Sequence, residues 1–152
     1  MRRQHFKFSY KTFNITLIFF VMQTNPLAHL SDLPQNGKVI AEYIWIDGAL
    51  GIRSKTRTLD KKPTCVADLP NWNYDGSSCY QAPTNNSEVI MKPVAYFPDP
   101  FRRGDNILVL TEAYVWEDTT YQKLIPAISN FRAVARPIFE AAASEKPWYG
   151  IE

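Results

Sequence analysis

The sequence has little cysteine and no long apolar run. Its two cysteines among 152 residues, Cys65 and Cys79, have no paired His or Cys nearby, so they make neither a zinc site nor a disulfide framework. We interpret them as free thiols of a reducing compartment, and a bridge between them stays open. The longest mostly apolar stretch, Phe13 to Met22, falls well short of the roughly 20 residues that span a bilayer. A hydrophobic fraction of 45% is nevertheless enough for a packed core.

Acidic residues outnumber basic ones outside the first 31 positions. Of the 17 Lys and Arg residues, four lie before residue 32, where no acid accompanies them, which leaves 13 basic and 15 acidic residues over 32 to 152. That part is therefore mildly acidic, although the whole chain carries a net charge of +2. Nucleic-acid binding needs clustered positive charge to neutralise phosphates, and the composition gives no sign of it.

Residues 1 to 36 are predicted to be an N-terminal extension. Their basic start and short apolar run have the layout of a signal peptide, but no clear small-x-small cleavage site follows. The absence of acids also suits a targeting segment for a plastid or mitochondrion. In a third interpretation the protein starts at Met22, and residues 1 to 21 are non-native or a disordered tail. We expect a cytoplasmic protein, and the other locations stay open.

Four segments have strand character. Val39 to Ile46 is β-branched, aromatic and apolar on nearly both sides, as in an internal strand covered on both faces. A turn then leads to Arg53 to Thr58, where basic and hydroxyl side chains alternate and one face is wholly basic. That face is either solvated or meets acidic groups of a neighbouring subunit. The remaining two strands are Glu88 to Phe97 and Ile107 to Trp116.

A helix is predicted near the end of the chain, with Ser129 as its cap and Pro137 inside it. Between the second and third strands, Leu59 to Ser87 has no period. A connection of this length is either functional or disordered, and the aromatic content of this one indicates order. Four strands, a long ordered loop and a following helix predict an α+β fold.

The loop carries the most distinctive stretch of the chain, Trp72-Asn-Tyr-Asp-Gly-Ser-Ser78. Asp75-Gly76 is a turn dipeptide, and we expect the glycine to take the positive φ that other residues avoid. The turn is predicted to present the Asp75 carboxylate and both serine hydroxyls outward, with the two aromatic rings as walls. Such a corner suits a small cation, although most Asp-Gly-Ser-Ser turns are plain surface turns.

Five stretches, in this order and at these distances, resemble the N-terminal part of eukaryotic-type glutamine synthetase. Besides the Asp-Gly turn they are Tyr43-Ile-Trp-Ile-Asp-Gly48, Arg53-Ser-Lys-Thr-Arg-Thr-Leu-Asp60, Pro98-Asp-Pro-Phe-Arg102 and Lys146-Pro-Trp-Tyr-Gly-Ile-Glu152. The resemblance implies that residues 37 to 118 are the β-grasp domain of that family. It also implies that residues 119 to 152 are a linker helix and the first residues of the catalytic domain.

The resemblance implies an ATP-dependent ligase that makes glutamine from glutamate and ammonia through γ-glutamyl phosphate. In the family, the Asp of this turn attracts ammonium and takes its proton, a role that maps onto Asp75. The second serine lines the ammonium site and maps onto Ser78. These residues act in the active site of the adjacent subunit of a homo-oligomeric ring, so the domain supplies one half of a shared site.

The resemblance also bears on cofactors. In the family the Glu of Gly-Ile-Glu binds a metal ion, a role that Glu152 would have only in a longer protein. Mg²⁺ or Mn²⁺ and ATP are expected in the complete enzyme and not on this chain alone, because the other metal ligands and the nucleotide pocket do not occur in these 152 residues. By itself the chain is expected to be inactive.

Three kinds of protein remain possible at this point. One is the N-terminal part of a glutamine synthetase whose remaining sequence is missing. Another is a stand-alone β-grasp protein that binds or regulates full-length subunits. The third, a secreted β-domain, depends only on the weak N-terminal signal. In none of these do we expect nucleic-acid or membrane partners.

Overall fold

The computed structural model describes residue 30 and residues 33 to 150. The chain divides into two units after Gln35, and the second of them, Asn36–Glu152, holds every strand and helix considered below. Our expectations for residues 1 to 21 and for Glu152 concern positions outside the described residues, so they stay predictions.

One mixed sheet organises the second unit. Its strands are β1 (Val39–Ile46), β2 (Ile52–Leu59), β3 (Trp72–Asp75), β4 (Glu88–Pro98), β5 (Ile107–Trp116) and β6 (Leu124–Pro126). The order is β2-β1-β5-β4-β3, and β6 pairs with the last residues of β5. The β1–β5 pairing is parallel, and the others are antiparallel. With α1 (Phe131–Ala141) as the one α-helix of the described residues, the predicted α+β, β-grasp-like fold is confirmed.

The core lies on one face of this sheet. Along β1 every second residue, from Val39 to Trp45, is at most 5% exposed. On the opposite face of the strand, Ile44 is only half-buried and Ile46 is 45% exposed. β1 is therefore internal in its hydrogen bonding, but the prediction that both of its faces are covered is wrong for the described residues.

The long connection between β2 and β4 covers that buried face. Leu69 is buried against the β1 side chains, and the Tyr43 hydroxyl donates to the carbonyl of Pro70 at 2.8 Å. The predicted order of this connection is confirmed, but it is not irregular throughout. It contains β3 and three 3-10 turns, Val66–Asp68, Ser77–Cys79 and Thr84–Asn86. A long loop with its own buried side chains becomes part of the core.

The start of α1 differs from the prediction. Its N-cap is Asn130, whose side-chain oxygen accepts from the Ala133 amide at 3.1 Å. Ser129 is buried and donates instead to the carbonyl of Ile46 at 3.0 Å. The helix continues through Pro137 without a break. No helix in the described part of the chain is long and apolar enough to cross a membrane.

A buried carboxylate fastens α1 to the sheet. Glu112 on β5 accepts from Arg132 and Arg136 of the helix and from the Tyr114 hydroxyl, the last at 2.7 Å. Burial alone would raise the pKa of Glu112, but the hydrogen bonds from Arg136, Tyr114 and Arg132 outweigh it and hold the pKa below its ordinary value. The carboxylate is thus ionised in the folded protein, and its charge is balanced by the helix.

Replacing this carboxylate is expected to loosen the helix in a pH-dependent way. We expect Glu112→Gln to lower the free energy of unfolding at neutral pH by about 1 to 3 kcal/mol, because two arginines lose a charged acceptor. A carboxylate whose pKa is lowered by folding stabilises the fold at pH values above its pKa in the unfolded chain. This stabilisation is lost as the pH falls through its pKa in the folded protein, so the difference in unfolding free energy from wild type should shrink in acid. Urea unfolding at a series of pH values measures it. Glu140→Gln, on an exposed position of the same helix, is the control, and a pH-independent difference would contradict the account.

Candidate functional site

The Asp-Gly turn lies at one edge of the sheet. β3 is an edge strand, and its last residue, Asp75, pairs with Glu88 of β4. The chain then turns through Gly76, whose amide donates to the Ser87 carbonyl at 2.6 Å, into the 3-10 turn Ser77–Cys79. The turn is therefore held at its start by the pairing of β3 with β4 and at its centre by Ser87, the residue before β4.

Gly76 is needed for space and not for a positive φ. Its φ is −75°, so the predicted left-handed conformation is wrong. A Cβ here would lie 2.3 Å from Cγ2 of Val89, which is fully buried. The left-handed residue of the turn is Tyr80, with φ 58° and a side chain that is 72% exposed.

Asp75 is exposed and held by its neighbour. One carboxylate oxygen accepts from the Ser77 amide at 2.9 Å and from the Ser77 hydroxyl at 2.6 Å. These bonds hold the pKa of Asp75 below its ordinary value. The Ser77 hydroxyl, predicted to point outward, is turned toward Asp75 instead. Ser78 is exposed and donates to the Asp75 carbonyl at 3.0 Å.

An open cavity of about 430 Å³ lies beside Asp75 and Ser78. Its aromatic wall consists of Trp45 and Tyr74, whose rings stack with centroids 4.3 Å apart. Trp72 is not part of this wall. It packs edge-on against Tyr43, with the Lys55 ammonium 3.7 Å above its ring. One of the two predicted aromatic walls is therefore in place, and a residue of β1 supplies the other.

The β1–β2 turn holds Arg53, one of the residues that line the cavity. Asp47 is buried there, and its carboxylate accepts from the Gly51 amide at 2.8 Å and from Arg53 Nε at 2.7 Å. The Arg53 hydrogen bond is the main reason that the pKa of Asp47 is lowered. Arg53, which belongs to the predicted basic face of β2, also lines the cavity. The Asp75 carboxylate, the Ser78 hydroxyl and the Arg53 guanidinium therefore lie around one open cavity.

Between residues 33 and 150 the structure brings no three His, Cys, Asp or Glu side chains together in a way that would hold a metal ion. We therefore assign none of these residues to Mg²⁺ or Mn²⁺ and derive no step through a metal.

The roles of two residues were not predicted from the sequence. Ser77 holds Asp75, and Gln81 lies buried behind the turn, where it accepts from the Tyr74 hydroxyl at 2.6 Å. The spacing Asp-x-Ser points to Ser77, because an Asp carboxylate in a turn often accepts a hydrogen bond from the residue two positions later. No local signal points to Gln81.

The fold and the site together define an α+β domain with an acidic, hydroxyl-bearing corner beside an aromatic wall. Comparison with known proteins shows what the chain is similar to. The chain is 51% identical over 132 residues to a glutamine synthetase of Tuber borchii, which is 87% of this chain and 35% of that protein. It is 52% identical over 122 residues to one of Schizosaccharomyces pombe and 47% identical over 132 residues to one of Saccharomyces cerevisiae.

The chain is therefore a homologue of the glutamine synthetases, and the resemblance found in the motifs is confirmed. It spans about a third of the length of these relatives, 35% of the Tuber borchii protein and 34% of the Saccharomyces cerevisiae protein. No protein-family model matches the chain.

Proposed function

We propose that this chain forms the part of a glutamine synthetase that binds ammonium and takes a proton from it. The observation that carries the proposal is the fixed, ionised carboxylate of Asp75 beside an open cavity with an aromatic wall. In a complete ring, the turn would complete the active site of the adjacent subunit. Glutamate and ATP, with Mg²⁺ or Mn²⁺, would bind through residues of that subunit outside those described here.

The lowered pKa of Asp75 suits the first half of this role. Because Ser77 favours the charged form of the carboxylate, Asp75 stays ionised at neutral pH and attracts a cation. The exposed Ser78 hydroxyl, whose proton points to the Asp75 carbonyl, can turn its lone pairs to a bound ammonium N–H. Ammonium is the form that predominates at pH 7, so a cation site is the appropriate receptor.

The second half of the role needs a stronger base than Asp75 is on its own. A carboxylate with a lowered pKa takes up a proton poorly. Burial raises the pKa of a carboxyl group. The cavity beside Asp75 is open, and in the proposed ring a neighbouring subunit covers it. We propose that covering this cavity dehydrates Asp75, after which ammonium transfers its proton and the neutral amine displaces phosphate from γ-glutamyl phosphate.

A chimera tests the proposal. Residues 37 to 150 would replace the matching segment of the Saccharomyces cerevisiae enzyme, to which the chain is 47% identical. We expect the chimera to assemble and to form glutamine in an ATP-dependent assay, because the transplanted turn supplies the missing half of the site. The 152-residue chain, assayed alongside, is expected to form none. A folded, assembled chimera without activity, or turnover by the chain alone, would contradict the proposal.

A further inference from the structure

A buried chain of hydrogen bonds runs through Gln81, behind the Asp75 turn. The Tyr74 hydroxyl donates to Gln81 Oε1 at 2.6 Å. Gln81 Nε2 donates to the Ser129 hydroxyl at 2.9 Å and to the Ile46 carbonyl at 3.1 Å. The Ser129 hydroxyl in turn donates to the same Ile46 carbonyl at 3.0 Å. Gln81 and Ser129 are 8% and 5% exposed, and the bond between them is buried, so water has little access to it.

The direction of each bond is determined by the groups involved. Burial raises the pKa of the Tyr74 phenol, which therefore remains a donor over the ordinary pH range. The amide oxygen of Gln81 accepts that proton, and its NH₂ group has two donors for two acceptors. Removing one hydroxyl would leave a buried partner without a hydrogen bond, which is costly. The hydrogen-bond network therefore keeps one geometry.

These hydrogen bonds hold the Asp75 turn at both of its ends. Tyr74 immediately precedes Asp75 on β3, and the backbone N–H of Gln81 donates to the Gly76 carbonyl at 3.0 Å. The other end of the hydrogen-bond chain lies at two other elements. Ile46 is the last residue of β1, and Ser129 immediately precedes Asn130, the N-cap of α1.

We propose that Gln81 is a positioning residue that holds the Asp75 turn in place and couples its geometry to the end of β1 and the start of α1. A shift at the start of α1 is then transmitted through Ser129 and Gln81 to Tyr74 and Asp75. The consequence for ammonia rests on the proposed function of Asp75. The coupling itself does not.

NMR titration of the Asp75 carboxyl in the 152-residue chain tests the coupling. The variants are Tyr74→Phe and Ser129→Ala, which each remove one hydroxyl, and Gln81→Leu. Asp118 provides an internal control, because its carboxylate accepts from the Thr120 amide at 2.8 Å and from the Thr120 hydroxyl at 2.5 Å in the same pattern as Asp75 and Ser77, with no contact to Gln81 among its hydrogen bonds. Gln122→Leu, on an exposed glutamine, is the matched control variant.

We expect the pKa of Asp75 to move up toward its ordinary value of 3.8 in all three variants, because a loosened turn weakens the Ser77 hydrogen bonds. The Asp118 titration and the Gln122→Leu protein should match wild type. If Gln81→Leu does not fold, the two hydroxyl deletions decide. An unchanged Asp75 titration in folded Tyr74→Phe and Ser129→Ala proteins overturns the proposal, as does a shift of Asp75 and Asp118 together. Since no ammonia is present, this result is independent of the chimera experiment.

Discussion

Asp75→Asn in the chimera is expected to lower kcat/KM for ammonia by about a hundredfold to ten-thousandfold, the range that one general base contributes. Asparagine keeps the shape of the side chain and an oxygen that can accept from Ser77. It loses the charge that attracts ammonium and the basicity that removes a proton. Binding of glutamate and ATP should change much less.

Asp118→Asn is the matched control for this variant. It makes the same chemical change in a turn with the same hydrogen-bond pattern, two residues after the end of β5. We expect its kinetics to equal those of the unmodified chimera. Near-normal use of ammonia by the Asp75→Asn protein would show that the carboxylate has another role.

Gly48→Ala is expected to have the largest effect on stability, a loss of roughly 3 to 5 kcal/mol in the free energy of unfolding. Gly48 lies in the β1–β2 turn, and its amide donates to the Cys79 carbonyl at 2.8 Å. A Cβ at this position would lie 2.1 Å from the carbonyl oxygen of Tyr80 and 2.6 Å from its carbonyl carbon. Both are backbone atoms, so the two turns would have to separate.

Urea unfolding of the chain measures this loss. Gly150→Ala is the control, because a Cβ there meets nothing within 4 Å. Since Gly48 joins the hairpin to the turn that carries Asp75, the variant should also disturb the cavity between them. An alanine variant that unfolds at the wild-type urea concentration would contradict the close approach of the two turns.

Most of the sheet was predictable from the sequence because long strands have strong local signals. β1, β2, β4 and β5 are runs of eight to eleven residues with β-branched or alternating composition. β3 and β6, of four and three residues, are too short to show a period. The parallel pairing of β1 with β5 depends on the arrangement of the whole sheet, and no residue in either strand encodes it.

The exposed residues of the site could be predicted from the sequence, but the contacts that hold them in place could not. Asp75 and Ser78 are exposed on a turn, as the Asp-Gly-Ser-Ser pattern indicates. The reason for glycine at position 76 lies in Val89, a side chain of another strand. Gln81 bonds to residues 35 and 48 positions away, and the same contacts draw Ser129 away from the capping position that Asn130 takes. Contacts at such separations leave no periodicity in a single sequence.

The comparison of two nucleophiles tests the central claim most directly. Ammonium must lose a proton before it attacks, whereas hydroxylamine is largely neutral at pH 7 and needs no proton acceptor. The Asp75→Asn chimera should therefore lose its use of ammonia while it still forms the hydroxamate from hydroxylamine at close to the unmodified rate. An equal loss with both nucleophiles, in a protein that remains folded and assembled, would show that Asp75 neither binds ammonium nor takes its proton.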